Sequence, residues 1–383
     1  MSAGTAALWL LMGPEWDAVV CGGGAAGLVL AAELAGPAAP FGRVLVVDDG
    51  SHPVDRRTWA FWARRDVVLD PAVVARWGRL RVHAGDGDRA LPIAPYEYRL
   101  VHGEVLGSVV DRRAGAALTR LTGRVDDVVD AGTHGVAVVD GVGVTAWWVF
   151  DSRPPAPARP GEPRMSFAGC TVAAADDAFD PSTATFLDFR VRAAGVVRFG
   201  YVLPTSPRAA LVDVVTLSTA TPGGAGREDL DGYVHGVLGV SGTVRDHEAG
   251  EVPLREESRR APRGRVVRVG RRAGLLRPAT GFAVDRIARD AARIRWSLGR
   301  YGHPHARSSR RARHRWLDRV LLDVMAHDPD RIEAAFAALF ARNPPARVLR
   351  FLDEDTSPAE EVALVATLPP WPFLRAARRV LLR

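Results

Sequence analysis

Asp17-Ala18-Val19-Val20-Cys21-Gly22-Gly23-Gly24-Ala25-Ala26-Gly27 is an apolar run that ends in a glycine-rich turn. Leu28-Val29-Leu30-Ala31-Ala32-Glu33-Leu34 follows as a helical stretch, and a second apolar run, Arg43-Val44-Leu45-Val46-Val47, ends at Asp48. Strand, glycine turn, helix, strand and terminal acid, in that order, make the βαβ fingerprint of a dinucleotide-binding fold. Each glycine has its own physical task. Gly22 permits the tight turn, Gly24 lets the backbone approach a pyrophosphate, and Gly27 lets the helix pack against the strand. The helix then points its positive end at the phosphates. Asp48 stands where a carboxylate accepts hydrogen bonds from a ribose. In a chain with 38 glycines the spacing alone carries little, and the flanking strand, helix and acid give it weight. The motif implies a dinucleotide without choosing between FAD and NAD.

A chain of 383 residues can bury one large or two medium cores, and 47% hydrophobic residues is ordinary for a globular protein. The net charge of +7 comes without a single lysine, so every basic side chain is arginine. That bias reflects base composition as much as an anionic partner. Zinc spacing, a basic region with heptads and aromatic-basic interleaving are all missing from the sequence, and no nucleic-acid partner is expected. No metal-ligating pattern is found either. Cys21 and Cys170 are the only cysteines. A disulfide is not expected, which fits a reducing, cytoplasmic setting. Residues 1–16 read as a flexible leader. Its apolar stretch Ala6 to Met12 is too short to span a bilayer, although Trp9 and its leucines suit a membrane interface.

The organisation expected is α/β, with a Rossmann-like doubly wound nucleotide domain over 17–160 and 261–310. An inserted antiparallel β-sheet substrate domain covers 161–260, and a helical region covers 311–383. Trp147-Trp148-Val149-Phe150 ending at Asp151-Ser152 reads as a second return to the nucleotide domain. Thr185 to Arg190, Val196 to Pro204 and Ala209 to Leu217 carry strand patterns. Val266 to Gly270 reads as a late strand, and Pro278-Ala279-Thr280-Gly281 as a turn opening a helix. A helix N-terminus there could face a flavin ring or substrate, which assigns Gly270, Pro278, Thr280 and Gly281 to the cofactor site. The glycine fingerprint occurs once in strong form, which favours a flavoprotein with one nucleotide domain. No Ser-His-Asp order, CxxC, HExxH or P-loop competes with that reading, and His52, His102, His247 and His314 are too scattered to be assigned catalysis.

Several pieces then resemble the bacterial lycopene cyclase family of flavoproteins. They are Arg57-Thr58-Trp59-Ala60-Phe61-Trp62, Tyr96-Glu97-Tyr98, Val149 to Arg153, Ala184 to Arg190 and Tyr201 to Pro207. Glu248 to Leu254, Pro278 to Phe282 and Leu368 to Leu374 complete the set, in the family's order from about residue 17 to 375. The resemblance implies FAD in its reduced form, with NAD(P)H as an indirect reductant. It implies closure of the linear ends of lycopene, or a related carotenoid, into β-ionone rings without net electron transfer. It also implies peripheral contact with the membrane in which such a substrate lives. By this resemblance Arg57 and Asp151 join the cofactor residues, and Trp59, Trp62, Tyr96, Tyr98 and Asp188 are expected to line the substrate. The family's acid lies in a pattern close to Leu-Ile/Val-Glu-Glu/Asp-Thr. Here that stretch is Leu211-Val212-Asp213-Val214-Val215-Thr216, which makes Asp213 the catalytic acid and puts Val214 in place of the second one. Arg271, Arg272 and Arg277 either pair with flavin phosphates or face water. The alternatives are a redox flavoprotein of the same fold, such as a hydroxylase or prenyl reductase, and a non-catalytic FAD- or carotenoid-binding paralogue.

Overall fold

The computed structural model describes residues 13–36, 39–85, 87–219, 224–256, 264–305 and 311–382. The leader's apolar stretch Ala6 to Met12 lies outside them.

The first sheet is built on strand β1 (Trp16–Cys21), which pairs in parallel with β2 (Val44–Asp48) on one side and β11 (Val142–Asp151) on the other. Strand β8 (Leu118–Thr122) extends it beyond β2, and β17 (Val266–Arg268) joins β11, both in parallel. Strands β10 (Gly135–Val139) and β9 (Val125–Asp130) add an antiparallel flank. Helix α1 (Ala25–Ala35) is apolar all round and buried along nearly its whole length, so it can only be an internal helix. It packs between α2 (Gly103–Ala114) and α4 (Val284–Tyr301) over one face of the sheet. Its Glu33 is buried and paired with Arg295 at 3.2 Å. The opposite face is closed by strand residues, among them Val19, Leu45, Ala137 and Val149.

The second sheet runs β16 (Gly242–Pro253), β12 (Arg164–Ala174), β15 (Ala209–Ser218), β14 (Val197–Ser206), β13 (Ala184–Asp188), β5 (Arg79–Ala84) and β6 (Gly87–Pro92). All its pairs are antiparallel except β13 with β5. It therefore takes two strands from residues 79–92, ahead of the 161–260 segment. Successive residues of a strand point to opposite faces. On β15, Leu211, Val215 and Leu217 enter one apolar cluster, while Val212 and Val214 enter another with Tyr233 and Leu230 of the short helix α3 (Arg227–Asp231) and the turn after it.

A third sheet, β3 (Thr58–Ala63), β7 (Glu97–His102) and β4 (Val73–Trp77), covers the Leu211 face of the second. Helices α5 (Ala312–His327), α6 (Ile332–Arg342), α7 (Pro345–Leu352), α8 (Pro358–Val365) and α9 (Pro370–Leu381) complete the same core through Val324, Leu339, Val348, Leu364 and Ala376. The strand-rich middle and helical end expected from sequence are both present.

Candidate functional site

The glycine turn has the geometry the fingerprint requires. Gly22 sits at φ +108°, where a side chain would be strained, and its N–H donates to Val47 O at 2.7 Å. A Cβ at Gly27 would lie 1.9 Å from Gly22 O, so only glycine lets α1 start this close to the strand end. Gly24 is the N-cap of α1, with open space where its side chain would be. No side chain caps the helix and its first turn carries no acid, so its leading N–H groups remain free for an anion. Asp48 braces this turn. Its Oδ2 accepts from Gly23 N at 2.6 Å and its Oδ1 from Gly50 N at 3.0 Å.

Asp151, at the end of β11, is fully buried and held by two arginines, Arg153 at 2.9 Å and Arg272 at 2.6 Å. The next residue, Ser152, donates to Cys21 O and Gly22 O. Asp151 thus ties the turn to the late segment instead of projecting from it. Gly270, at φ +60°, approaches α1 so closely that a Cβ would meet the Ala26 methyl at 2.5 Å. The three arginines left open by the sequence separate here. Arg272 holds Asp151. Arg277 neither pairs with a phosphate nor faces water, because it is buried against Asp318 at 2.9 Å and donates to Phe351 O. Arg271 is depressed below the usual guanidinium range by burial and by the charge of Arg57.

From Arg277 the chain turns tightly. Arg277 O accepts from Thr280 N and Gly281 N, and Arg277 N donates back to Phe282 O at 3.0 Å. Gly281, at φ +74°, abuts Met165 of β12, where a Cβ would lie 2.7 Å from the sulfur. Gly281 therefore lies against the second sheet, with Gly270 against the helix end. The element links the two.

On that side of the second sheet, four adjacent strands place Tyr201, Asp213, Gly169 and Glu248 in one row. Residues paired directly across strands share a face. A Cβ at Gly169 would sit 1.8 Å from Asp213 Oδ1 and 3.2 Å from Glu248 Cγ, so the two carboxylates close over the glycine. Asp213 Oδ1 is buried and has no hydrogen-bond partner among the described residues. Burial, with the charge of Glu248 added, pushes the Asp213 carboxyl well above the usual carboxylate range. Glu248 is also raised by burial, but Thr58 Oγ1 donates to its Oε1 at 2.9 Å and the charge of Arg57 opposes the rise.

Aromatic rings lie beside the acid, on its Tyr201 side. Tyr98 and Tyr201 share a hydroxyl–hydroxyl bond, and burial keeps both phenols protonated. Trp62 stacks near Tyr98 with centroids 6.4 Å apart and meets Phe282 edge-on at 4.6 Å. Phe186 contacts Tyr98, Tyr201 and Phe282. Beside them, a small cleft is lined by Trp62, Phe282, Asp285 and Asp353, and burial next to Asp285 pushes Asp353 up to about 7.

Of the five residues expected to line the substrate, Trp62 and Tyr98 lie in this cluster. Trp59, three residues before Trp62 on β3, points into the nucleotide-domain core. Tyr96 is buried in the same core as Tyr98, with Arg64 over its ring at 6.0 Å. Asp188 is fully buried and bound by Arg190 and by Tyr233 Oη at 2.8 Å, on the face where Tyr233 packs. Glu248, Gly169, Thr58 and Phe186 had no assigned role. Their meeting depends on strand pairing between distant segments, and no local spacing encodes it.

The family model that describes lycopene cyclase protein matches residues 17–378. Among solved structures, the fold is shared with a geranylgeranyl bacteriochlorophyll reductase-like protein from Thermoplasma acidophilum (12% identity over 94% of this chain and 95% of that one, TM-score 0.54). It is shared with the flavin-dependent brominase Bmp2 (14% identity, 91% and 98%, TM-score 0.60). It is shared also with Klebsiella pneumoniae HpxO, solved with FAD and uric acid (14% identity, 90% and 98%, TM-score 0.62). At these identities the likeness is one of fold. No curated protein sequence matches the chain.

Proposed function

The chain belongs to the lycopene cyclase family, and from that premise we propose that it binds FAD and closes the linear ends of lycopene, or a related carotenoid, into β-rings. The observation that carries this reading is Asp213, whose enclosed Oδ1 has no hydrogen-bond partner among the described residues and whose carboxyl is pushed well above the usual carboxylate range by burial and by the charge of Glu248. A raised carboxyl is a weaker acid, but it keeps its proton to higher pH than an exposed one and so can serve as the general acid toward an alkene, provided the cation that forms is stabilised.

The glycine turn fits the dinucleotide. The uncapped N-terminus of α1 and the open side of Gly24 would take the diphosphate, and Gly270 stands beside them. When bound in its reduced, anionic form, with NAD(P)H as the indirect source of electrons, the flavin supplies negative charge near a carbocation. The chain's own groups do the rest. Asp213 delivers a proton to the terminal alkene, and the tertiary cation that results closes the ring. Tyr98, Tyr201, Phe186, Trp62 and Phe282 exclude water and present ring faces, each worth ~0.5–2 kcal/mol to a nearby cation. A deprotonation then completes an isomerisation in which no electrons are gained or lost.

Peripheral membrane contact belongs to the same proposal. Among the described residues no helix is long and apolar enough to cross a membrane. Helix α9, however, exposes Trp371, Leu374 and Leu381 alongside Arg375 and Arg378, a composition suited to an anionic lipid surface.

Expression in bacteria that accumulate lycopene tests the reading. Chromatography is expected to show cyclised carotene of unchanged mass. Asp213→Asn should abolish it while the purified protein keeps its flavin. Lycopene left untouched by folded, flavin-loaded protein would sink the proposal, and a product changed in mass would point to redox chemistry instead.

A further inference from the structure

Asp213 and Glu248 are neighbours with unequal support. Both lean over Gly169, the one position in their row without a side chain, and no larger residue fits between them. Glu248 accepts a hydrogen bond from Thr58, which comes from a different sheet and fixes the carboxylate's place. The cation Arg57 precedes Thr58 and favours the ionised form of Glu248. Among the described residues Asp213 Oδ1 has no donor and no cation acts on the carboxyl, and Leu211 and Val215 flank it on its own strand face. Two carboxylates this close in apolar surroundings do not both ionise unless a cation lies beside them. The arrangement leaves the proton on Asp213 and the charge on Glu248.

We infer that Asp213 and Glu248 act as one acid–base couple, Asp213 giving its proton to the polyene and Glu248 receiving the proton that the new ring sheds. This rests on the cyclase reading above. In the first step the π pair of the terminal alkene takes the Asp213 proton, leaving a carboxylate and a tertiary cation. In the second, the π pair of a nearby double bond forms the ring carbon–carbon bond and moves the cation into the ring. In the third, a ring C–H bond breaks, its electrons become the ring double bond, and its proton goes to Glu248. Transfer from Glu248 to Asp213, across the gap that Gly169 leaves open, with exchange against solvent protons before the next substrate binds, restores the starting state. Atoms and electrons balance without an oxidant or reductant.

The test uses the flavin-loaded full chain and two readouts. One is ring formation against pH. The other is the carboxyl infrared titration assigned to Asp213 by its loss in Asp213→Asn. Glu248→Gln keeps an acceptor for Thr58 but removes the charge. Ring formation should fall on the order of a hundredfold. The Asp213 titration, and the alkaline limb of the residual activity with it, should move to lower pH because a neighbouring negative charge is gone. Thr58→Val is the second variant, and it should move the Glu248 titration to higher pH. An Asp213 titration unmoved in folded Glu248→Gln overturns the inference, whatever the rate. A chain that shows both titration shifts but forms no ring from lycopene instead sinks the cyclase reading and leaves the shared proton standing.

Discussion

Position 214 shows how a strand decides which residue reaches the candidate site. The family pattern suggests a second acid there, and this chain has valine. Adjacent strand residues face opposite ways, so Val214 is fully buried in the cluster with Val212 and Tyr233, behind the sheet from Asp213. A carboxylate at 214 would not reach the Asp213 face. The partner that does reach it, Glu248, arrives two strands away. Val214→Glu should therefore add no cyclising activity and should lower stability by about 3 kcal/mol or more, since it buries an unpaired charge. Denaturant unfolding measures this. A stable variant with faster turnover would show that the two faces have been misassigned.

Among the elements, the segment from Gly270 to Phe282 does the joining. One end presses on α1 beside the glycine turn, the other places Gly281 and Phe282 against the Asp213 face. Its anchor is Arg277, which is 3% exposed and ion-paired with an equally buried Asp318 on α5, with a further bond to Phe351 O on α7. Removing one partner of a buried pair leaves the other charged and unsolvated. Arg277→Ala should cost on the order of 3–5 kcal/mol, read by denaturant titration. A loss below about 1 kcal/mol would mean that the pair does not fasten the turn to the helices.

For the molecule as a whole, the legible parts of the fold were the local ones. Gly22, Gly24 and Gly27 lie within six residues of one another, Asp48 reaches them from the next strand of the same βαβ unit, and the structure forms the turn that their spacing required. The strands near 185, 197 and 209 were visible as runs of apolar residues, and the helical end as periodicity. Trp59 and Trp62 looked alike in sequence because the direction of a side chain depends on which face of β3 is covered, a tertiary fact. Asp188 reads as a substrate residue by resemblance alone, and in the fold Arg190 and Tyr233 hold it. The row Tyr201–Asp213–Gly169–Glu248 needs four strands in register, so it could not be read from any one segment.

In the proposed isomerisation Asp213 starts the reaction by giving a proton to a polyene. Deuterium labelling tests it most directly. Flavin-loaded, reduced protein and lycopene in vesicles are incubated in heavy water, and the product is examined by mass spectrometry and NMR. The account predicts one deuterium per ring formed, on the carbon protonated at the start, with no other change of composition, and no label in the Asp213→Asn variant. Rings formed without deuterium, or a product altered by oxygen or by a pair of hydrogens, would contradict it.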